Sequence, residues 1–433
     1  MNICLLCYRG NPYCGGQGIY LYNLSKALVE QGHEVTVLVG PPYPDPMPWA
    51  DVVRLPNMHY WGRQIEDIFT ADSWKTNLLP LNFIEFVLSR TGYCPEILAF
   101  SFRAAVRLKE LHTARPFDVI HDAETLGFGL LMARAHEVPI VSTVHHPLRR
   151  DLEAFLPRAK NGRERFFNTI FYPLLMQGLV ARRIDGMITS SKVGVGELQA
   201  AFRVKPQRIN LVYTGVNTRS FSPDPSVKRA PNRLLFVGNA EDPRKGLTYL
   251  LDALFQLPPE TRLIIVDTGE PHKFMAPRLI RSKGLEERVR FTGRLTEQEL
   301  VNEYRMARVL IMPSLFEGFG LPVAEGMACG TPVVTTRAGS LPEVVGDDQE
   351  GGLLVPPKDS RALAEAISRI MSDPEFSEDL SRRARRRAER LFSWERTAQN
   401  TVGVYQDLIE SRTDRKAAVI PKGTSRCVTT KIN

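Results

Sequence analysis

Short runs of β-branched and apolar residues alternate with stretches of helical periodicity along the chain, and the series starts twice. Such alternation is the pattern of βαβ units, in which crossover helices join parallel strands, and it excludes a β-sandwich or a helical bundle. The first series places strands at residues 2–7, 34–39, 52–55, 119–121, 140–144, 186–189 and 209–213. Between the first two, Leu21, Leu24, Ala27 and Leu28 recur at helical spacing, and Gly32 stops the helix. The second series places strands at residues 233–237, 263–266, 289–291, 309–312, 333–335 and 352–355. A turn-forming stretch from Thr214 to Pro231 separates the two and sets a boundary near Gly215. The expected fold class is α/β, with two doubly wound parallel sheets.

A chain of 433 residues with 43% hydrophobic and 24% charged residues has the make-up of a globular protein, not a collagenous, coiled-coil or disordered one. Six scattered cysteines cannot staple it, and a reducing, cytoplasmic setting is expected. Cys4 and Cys7 form a C-x-x-C pair with no second pair at zinc spacing, inside a run that reads as a buried strand. No signal peptide is expected, and the uncharged runs at 10–25 and 166–181 are too short and too polar for a membrane helix. The charge excess, 56 − 48 = +8, points to a phosphate-bearing partner: a nucleotide, a nucleic acid or an anionic lipid.

Residues 313–326, PSLFEGFGLPVAEG, follow one of the strands and open a helix. Gly318 and Gly320 permit a tight turn, Pro322 suits a first helical turn, and a helix N-terminus offers amides and a positive dipole end to an anion. Glu317 and Glu325 are 325 − 317 = 8 residues apart, so a helical segment would let both carboxylates border one cleft. Their plainer reading is a helix-start acid and a solvated face charge. In the second stretch, FVGNAEDPRKG, Arg244 and Lys245 stand together on a loop after a strand, a planar fork beside a compact charge, which suits a diphosphate. Open α/β sheets bind ligands at this carboxyl edge. A nucleoside diphosphate is the expected ligand.

Together these motifs resemble those of retaining GT-B glycosyltransferases of glycosyltransferase family 4 (glycosyl transferases group 1), over nearly the whole chain. The family's E-x7-E element stands here in EGFGLPVAEGMACGTPVV, its diphosphate-binding region as GNAEDPRKG, and its donor-side strand and helix as VRFTGRLTEQEL. The resemblance implies two Rossmann-like domains facing a cleft, residues 1–214 on the acceptor side and 215–390 on the nucleotide-sugar side. It further implies a helix at 391–412 packing back on the first domain, followed by a disordered tail at 413–433. Retaining transfer from a nucleotide-diphosphate sugar to a hydroxyl of a lipid, glycan or small-molecule acceptor is the implied activity. By the same resemblance Glu317 contacts donor-sugar hydroxyls, Glu325 the ribose hydroxyls, and the amides of Gly318, Phe319, Gly320 and Leu321 the phosphates. Lys245 binds the diphosphate, and Gly16, Gly238, Asn239, Arg244, Gly293 and Arg294 complete the donor site. Glu317, His145 and Lys245 are expected to carry catalysis. One position departs from the family: many members have an Arg where Asn239 stands, and Arg244 is expected to supply that cation.

In the first half, Gly15, Gly16 and Gly18 form CGGQG, resembling the family's glycine loop. This is not a dinucleotide fingerprint, because Leu21 occupies a position that needs glycine, so no NAD is expected. His145 follows an apolar strand and matches the family's histidine that approaches the donor sugar; His146 and His121 are further candidates. Ser190 and Ser191 either line the acceptor cleft or cap a helix. From Leu148 to Phe171, Arg149, Arg150, Arg158, Lys160, Arg163 and Arg165 alternate with Phe155, Phe166, Phe167 and Phe171. These form either a basic face for an anionic membrane and a lipid-linked acceptor, or core phenylalanines beneath solvated charges. The Arg-dense helix after Ser381 reads as a solvated face. No Asp-x-Asp occurs and no inward pair of carboxylates is assigned, so neither a metal, another cofactor nor a glycosidase-like mechanism is expected. Nucleic acid is not an expected partner. The rival readings are a GT-B phosphorylase and a non-catalytic binding protein with a decayed donor site.

Overall fold

The computed structural model describes residues 1–11, 16–58, 60, 64–68, 70, 74–91, 93–156, 161–267, 275–346 and 349–419. Gly15, Arg158, Lys160 and residues 420–433 of the expected tail lie outside them, as do the side chains of Phe155 and Phe167.

Among the described residues, thirteen strands form two sheets. The first holds β1 (Asn2–Cys7), β2 (Glu34–Val39), β3 (Asp51–Arg54), β4 (Val119–Ala123), β5 (Ile140–Thr143), β6 (Gly186–Thr189) and β7 (Ile209–Leu211), in the order β3-β2-β1-β4-β5-β6-β7. The second holds β8 (Arg233–Val237), β9 (Arg262–Val266), β10 (Val289–Phe291), β11 (Val309–Met312), β12 (Val333–Thr336) and β13 (Leu353–Val355), in the order β10-β9-β8-β11-β12-β13. Every pairing is parallel. The sequence explains which strands are central: β4, β5, β6, β11 and β12 are buried at every residue, as strands covered by helices on both faces must be. Each sheet reverses its winding at one place, between β1 and β4 and between β8 and β11. There the crossovers leave a crevice at the strands' carboxyl ends.

The helix Trp394–Val419 returns to the first sheet, where Trp394, Ala398, Val404 and Tyr405 share a core with Tyr20, Leu21 and Leu24 of the helix Gly16–Glu30. The outgoing and returning chains lie side by side because residue 215 is glycine. A Cβ there would stand 2.5 Å from Trp394 Cδ2 and 2.8 Å from its Cα, while Val216 N donates to Phe392 O at 2.5 Å. The returning helix runs on through 413–419, which the sequence had placed in a disordered tail. TDRKAAV contains no Gly or Pro and is rich in good helix formers.

The arginines of the helix Pro374–Leu391 also depart from expectation, since they are not simply a solvated face. Arg385 donates to the carbonyls of Thr218, Phe221 and Ala328, and Arg387 to those of Glu343 and Val344. A planar guanidinium can satisfy several carbonyls at once, so these side chains tie the linker to the second sheet. Among the described residues between β3 and β4 lie four helices that the sequence had not suggested, the longest being Pro80–Arg90 and Glu96–Ala114. Among the described residues no helix is long and apolar enough to cross a membrane.

Candidate functional site

The second sheet builds one wall of a cleft from the loops after β8 and β11. After β8, Asp242 caps a short turn by accepting from Arg244 N at 2.9 Å, and the turn Pro243–Lys245 ends on Gly246 at φ +70°. A Cβ on Gly246 would lie 2.0 Å from Pro313 O, so glycine brings the two loops together, and Leu315 N donates to Arg244 O at 2.6 Å across the junction. This places Lys245 Nζ 2.7 Å from Glu317 Oε1, which also accepts from Ser314 Oγ at 2.8 Å. From behind, Gly339 packs where a Cβ would stand 2.3 Å from Glu317 O, and Ser340 Oγ donates to Phe319 O at 2.8 Å. Gly320 (φ +96°) then turns the chain into the helix Leu321–Ala328. Pro322 has no N–H and Val323 N donates to Gly320 O at 2.9 Å, so Leu321 at the helix start is the first-turn residue whose amide this wall can offer beside the lysine.

The first sheet supplies the facing wall. Tyr8 and Arg9 follow β1, Glu124 directly follows β4, and His145 and His146 follow β5. With Gly16, Gln17, Thr214, Lys245, Glu317 and the loop from Gly318 to Pro322 they line an open cleft of about 420 Å³. His145 has a buried Nε2 with no hydrogen-bond partner. Burial holds its pKa below the usual value despite the charge of Glu124, so the ring is neutral at physiological pH. Tyr20 packs edge-on against it, with ring centroids 4.9 Å apart.

The residues expected from the sequence divide into three groups. Gly16, His145, Lys245, Glu317, Gly318, Phe319, Gly320 and Leu321 meet in the cleft. Arg244 reaches an adjoining recess with Asp242 and Phe316, and His146 lines both this recess and the cleft. The Arg244 guanidinium is forked onto Asp242, with Nε 3.1 and 3.0 Å from its two oxygens. Burial opposes charge on Asp242, but the hydrogen bonds from Arg244 outweigh it and hold the carboxyl below its usual pKa. Gly238, Asn239, Gly293, Arg294 and Glu325 are not among the cleft's lining residues. Asn239 Oδ1 accepts from Glu241 N at 2.9 Å and so stabilises the turn. Glu325 does not swing round to join Glu317, because the chain becomes helical only at Leu321. Its carboxylate accepts from Tyr304 OH at 2.8 Å, and burial pushes its pKa up to about 7.

Of the weaker candidates, Ser191 caps the helix Lys192–Phe202, accepting from Gly194 N at 3.0 Å. His121 lies inside the first sheet, with Nδ1 2.5 Å from Tyr405 OH and Nε2 2.7 Å from Thr143 Oγ1. Burial pushes its pKa down to about 3, so it is neutral. Arg149 and Arg150 both pair with Glu153, and Arg150 also with Glu197, while Phe166 is 60% exposed. Arg9, Gln17 and Glu124 escaped the sequence reading. Glu124 shares the cleft with Glu317. Its position a few residues past the strand expected at 119–121 was the available signal.

Two family models match the chain, glycosyl transferases group 1 over residues 218–387 and glycosyltransferase family 4 over residues 14–220. The MMP alpha-(1->4)-mannosyltransferase of Mycolicibacterium hassiacum is 36% identical over 412 residues, covering 94% of this chain and 98% of that protein. A D-inositol 3-phosphate glycosyltransferase of Kineococcus radiotolerans is 28% identical, covering 95% of each. Among solved structures, sucrose-phosphate synthase from Thermosynechococcus elongatus superposes with a TM-score of 0.70 at 24% identity, over 95% of this chain and all of that one. Anabaena HepE in complex with UDP and glucose gives 0.64 at 20% identity, over 94% of this chain and 99% of that one.

Proposed function

The chain belongs to glycosyltransferase family 4 and has the GT-B fold, and from that premise we propose that it moves a mannosyl group from a nucleoside-diphosphate mannose to an acceptor hydroxyl, with retention and without a metal. Glycosyl transfer follows from the family; the choice of mannose rests on the name of the 36%-identical relative. The observation that carries the reading is the ion pair of Lys245 and Glu317 at 2.7 Å, set at the start of the helix Leu321–Ala328.

A diphosphate entering beside Lys245 gives its ammonium a stronger anion, which frees Glu317 to accept hydrogen bonds from the donor sugar. The Arg244 guanidinium, oriented by Asp242, adds a second cation, and the amides of Phe319, Gly320 and Leu321, in the loop and at the helix start, receive the phosphate oxygens. Fixed charges and dipoles of this kind stabilise the negative charge that builds on the departing diphosphate. Glu325 is assigned to the ribose hydroxyls. The neutral His145 ring offers Nε2 to a sugar hydroxyl without opposing the positive charge that develops at the anomeric carbon. In the retaining course the bond from the anomeric carbon to the phosphate oxygen breaks, and the acceptor oxygen bonds to that carbon on the same face. The acceptor proton passes to the departing phosphate oxygen.

The test is release of GDP, UDP or ADP from nucleotide-activated mannose and glucose, with and without sugar acceptors and EDTA. Acceptor-dependent release from a mannose donor, unchanged by EDTA, is expected. Activity abolished by EDTA and restored by Mg²⁺ would overturn metal independence, and synthesis supported by a sugar 1-phosphate would point to a phosphorylase.

A further inference from the structure

We propose that Glu124 is an acceptor-binding residue and selects a neutral, polyhydroxylated acceptor over a phosphate-bearing one, an inference that rests on the transfer reading above. Glu124 stands directly after β4, where the first sheet reverses its winding, in the wall facing Lys245 and Glu317. It is only 5% exposed, yet its carboxylate has neutral partners: Gln17 Nε2 donates to Oε2 at 2.6 Å and His146 N to Oε1 at 3.3 Å. A carboxylate has about four acceptor positions, so these leave capacity for more donors. The two cations lining the cleft are already engaged, Arg9 by Glu96 at 2.8 Å and Lys245 by Glu317 at 2.7 Å.

The backbone holds this arrangement at some cost. Glu124 and Leu126 both adopt left-handed conformations, at φ +66° and +47°, in a chain segment without glycine at either position. Asp122 fixes the turn by accepting from Leu126 N at 2.9 Å and Ser142 Oγ at 2.7 Å. Strain retained in this way is characteristic of residues that must be presented in one place. A buried carboxylate with spare acceptor positions binds hydroxyl pairs well, and it repels a phosphate at short range in a low-dielectric cleft. Because Arg9 is already paired with Glu96, the Glu124 carboxylate faces an incoming acceptor on this wall, opposite to what a phosphorylated acceptor requires.

Kinetics with a nucleotide-mannose donor test this, using methyl α-D-mannoside and an α-(1→4)-linked mannose disaccharide as neutral acceptors and D-inositol 3-phosphate as the charged one. In Glu124→Gln the KM for the neutral acceptors should rise about tenfold or more, the effect of losing a charge-assisted hydrogen bond. Its affinity for the nucleoside diphosphate, measured by calorimetry, should stay within about twofold, which also reports an intact fold. In Glu124→Lys the preference should shift toward D-inositol 3-phosphate. An unchanged acceptor KM in Glu124→Gln, or a wild-type preference for the phosphorylated acceptor, would overturn the proposal. So would a collapse of kcat at unchanged acceptor KM, which would assign the carboxylate to the chemistry. A wild-type protein that transfers to no acceptor would instead bring down the underlying transfer reading.

Discussion

Two neighbouring cations do different work in the donor wall. Lys245 is held by Glu317 within the cleft, whereas Arg244 is held by Asp242 in the recess beside it. If Arg244 makes good the cation that Asn239 lacks, Arg244→Ala should lower kcat/KM as severely as Lys245→Ala, each by about a hundredfold, in line with the loss of one strong charged contact to a leaving group. Steady-state kinetics of the two variants give the comparison, and a near-normal Arg244→Ala beside a crippled Lys245→Ala would leave Lys245 as the working cation. Lys245, Glu317 and the glycines around them were legible in the sequence because a glycine loop between a strand and a helix implies its own geometry. Glu124 was not, because its contact with Gln17 joins residues 107 positions apart. That Glu325 would not line the cleft beside Glu317 was illegible for a related reason: eight residues of spacing say nothing about where the helix begins.

At the level of elements, the returning helix Trp394–Val419 does more than fill a groove. Tyr405 on this helix, His121 on β4, Thr143 on β5 and Tyr20 on the helix Gly16–Glu30 form a buried chain of polar contacts, with Tyr20 OH 3.0 Å from Thr143 Oγ1. Tyr20 in turn packs on His145 at the cleft. Removing the Tyr405 hydroxyl leaves a buried His121 nitrogen without its partner, a loss of roughly 1–3 kcal/mol. Tyr405→Phe should therefore unfold at lower denaturant concentration with an unchanged slope, and an unaltered midpoint would show that the contact contributes nothing net. The strands were readable because central parallel strands are continuous apolar runs. The helices between β3 and β4 were not: Pro80–Arg90 buries Asn82, Glu85 and Ser89 while exposing Phe83, Ile84 and Val87, which inverts the pattern that periodicity relies on.

In the whole molecule the two winding reversals face each other, and the contacts between the halves lie around that point. A Cβ on Gly318 would sit 3.2 Å from His145 O, Arg150 lies over the Phe316 ring at 5.6 Å, and Lys192 N donates to both Glu343 oxygens at 2.9 Å. The sequence announced two sheets and a boundary, since both are properties of contiguous segments. It could not announce these contacts, which join residues well over a hundred positions apart. Lys245 and Leu321 share one opening with Glu124 and His145, and on the proposed retaining course the acceptor would approach through it to the face of the sugar from which the diphosphate departs. Proton NMR of the first product formed from an α-linked nucleoside-diphosphate mannose therefore tests the account most directly. It should show a new α-anomeric signal before any equilibration; a β-anomeric product, or no transfer to any sugar hydroxyl, would contradict it.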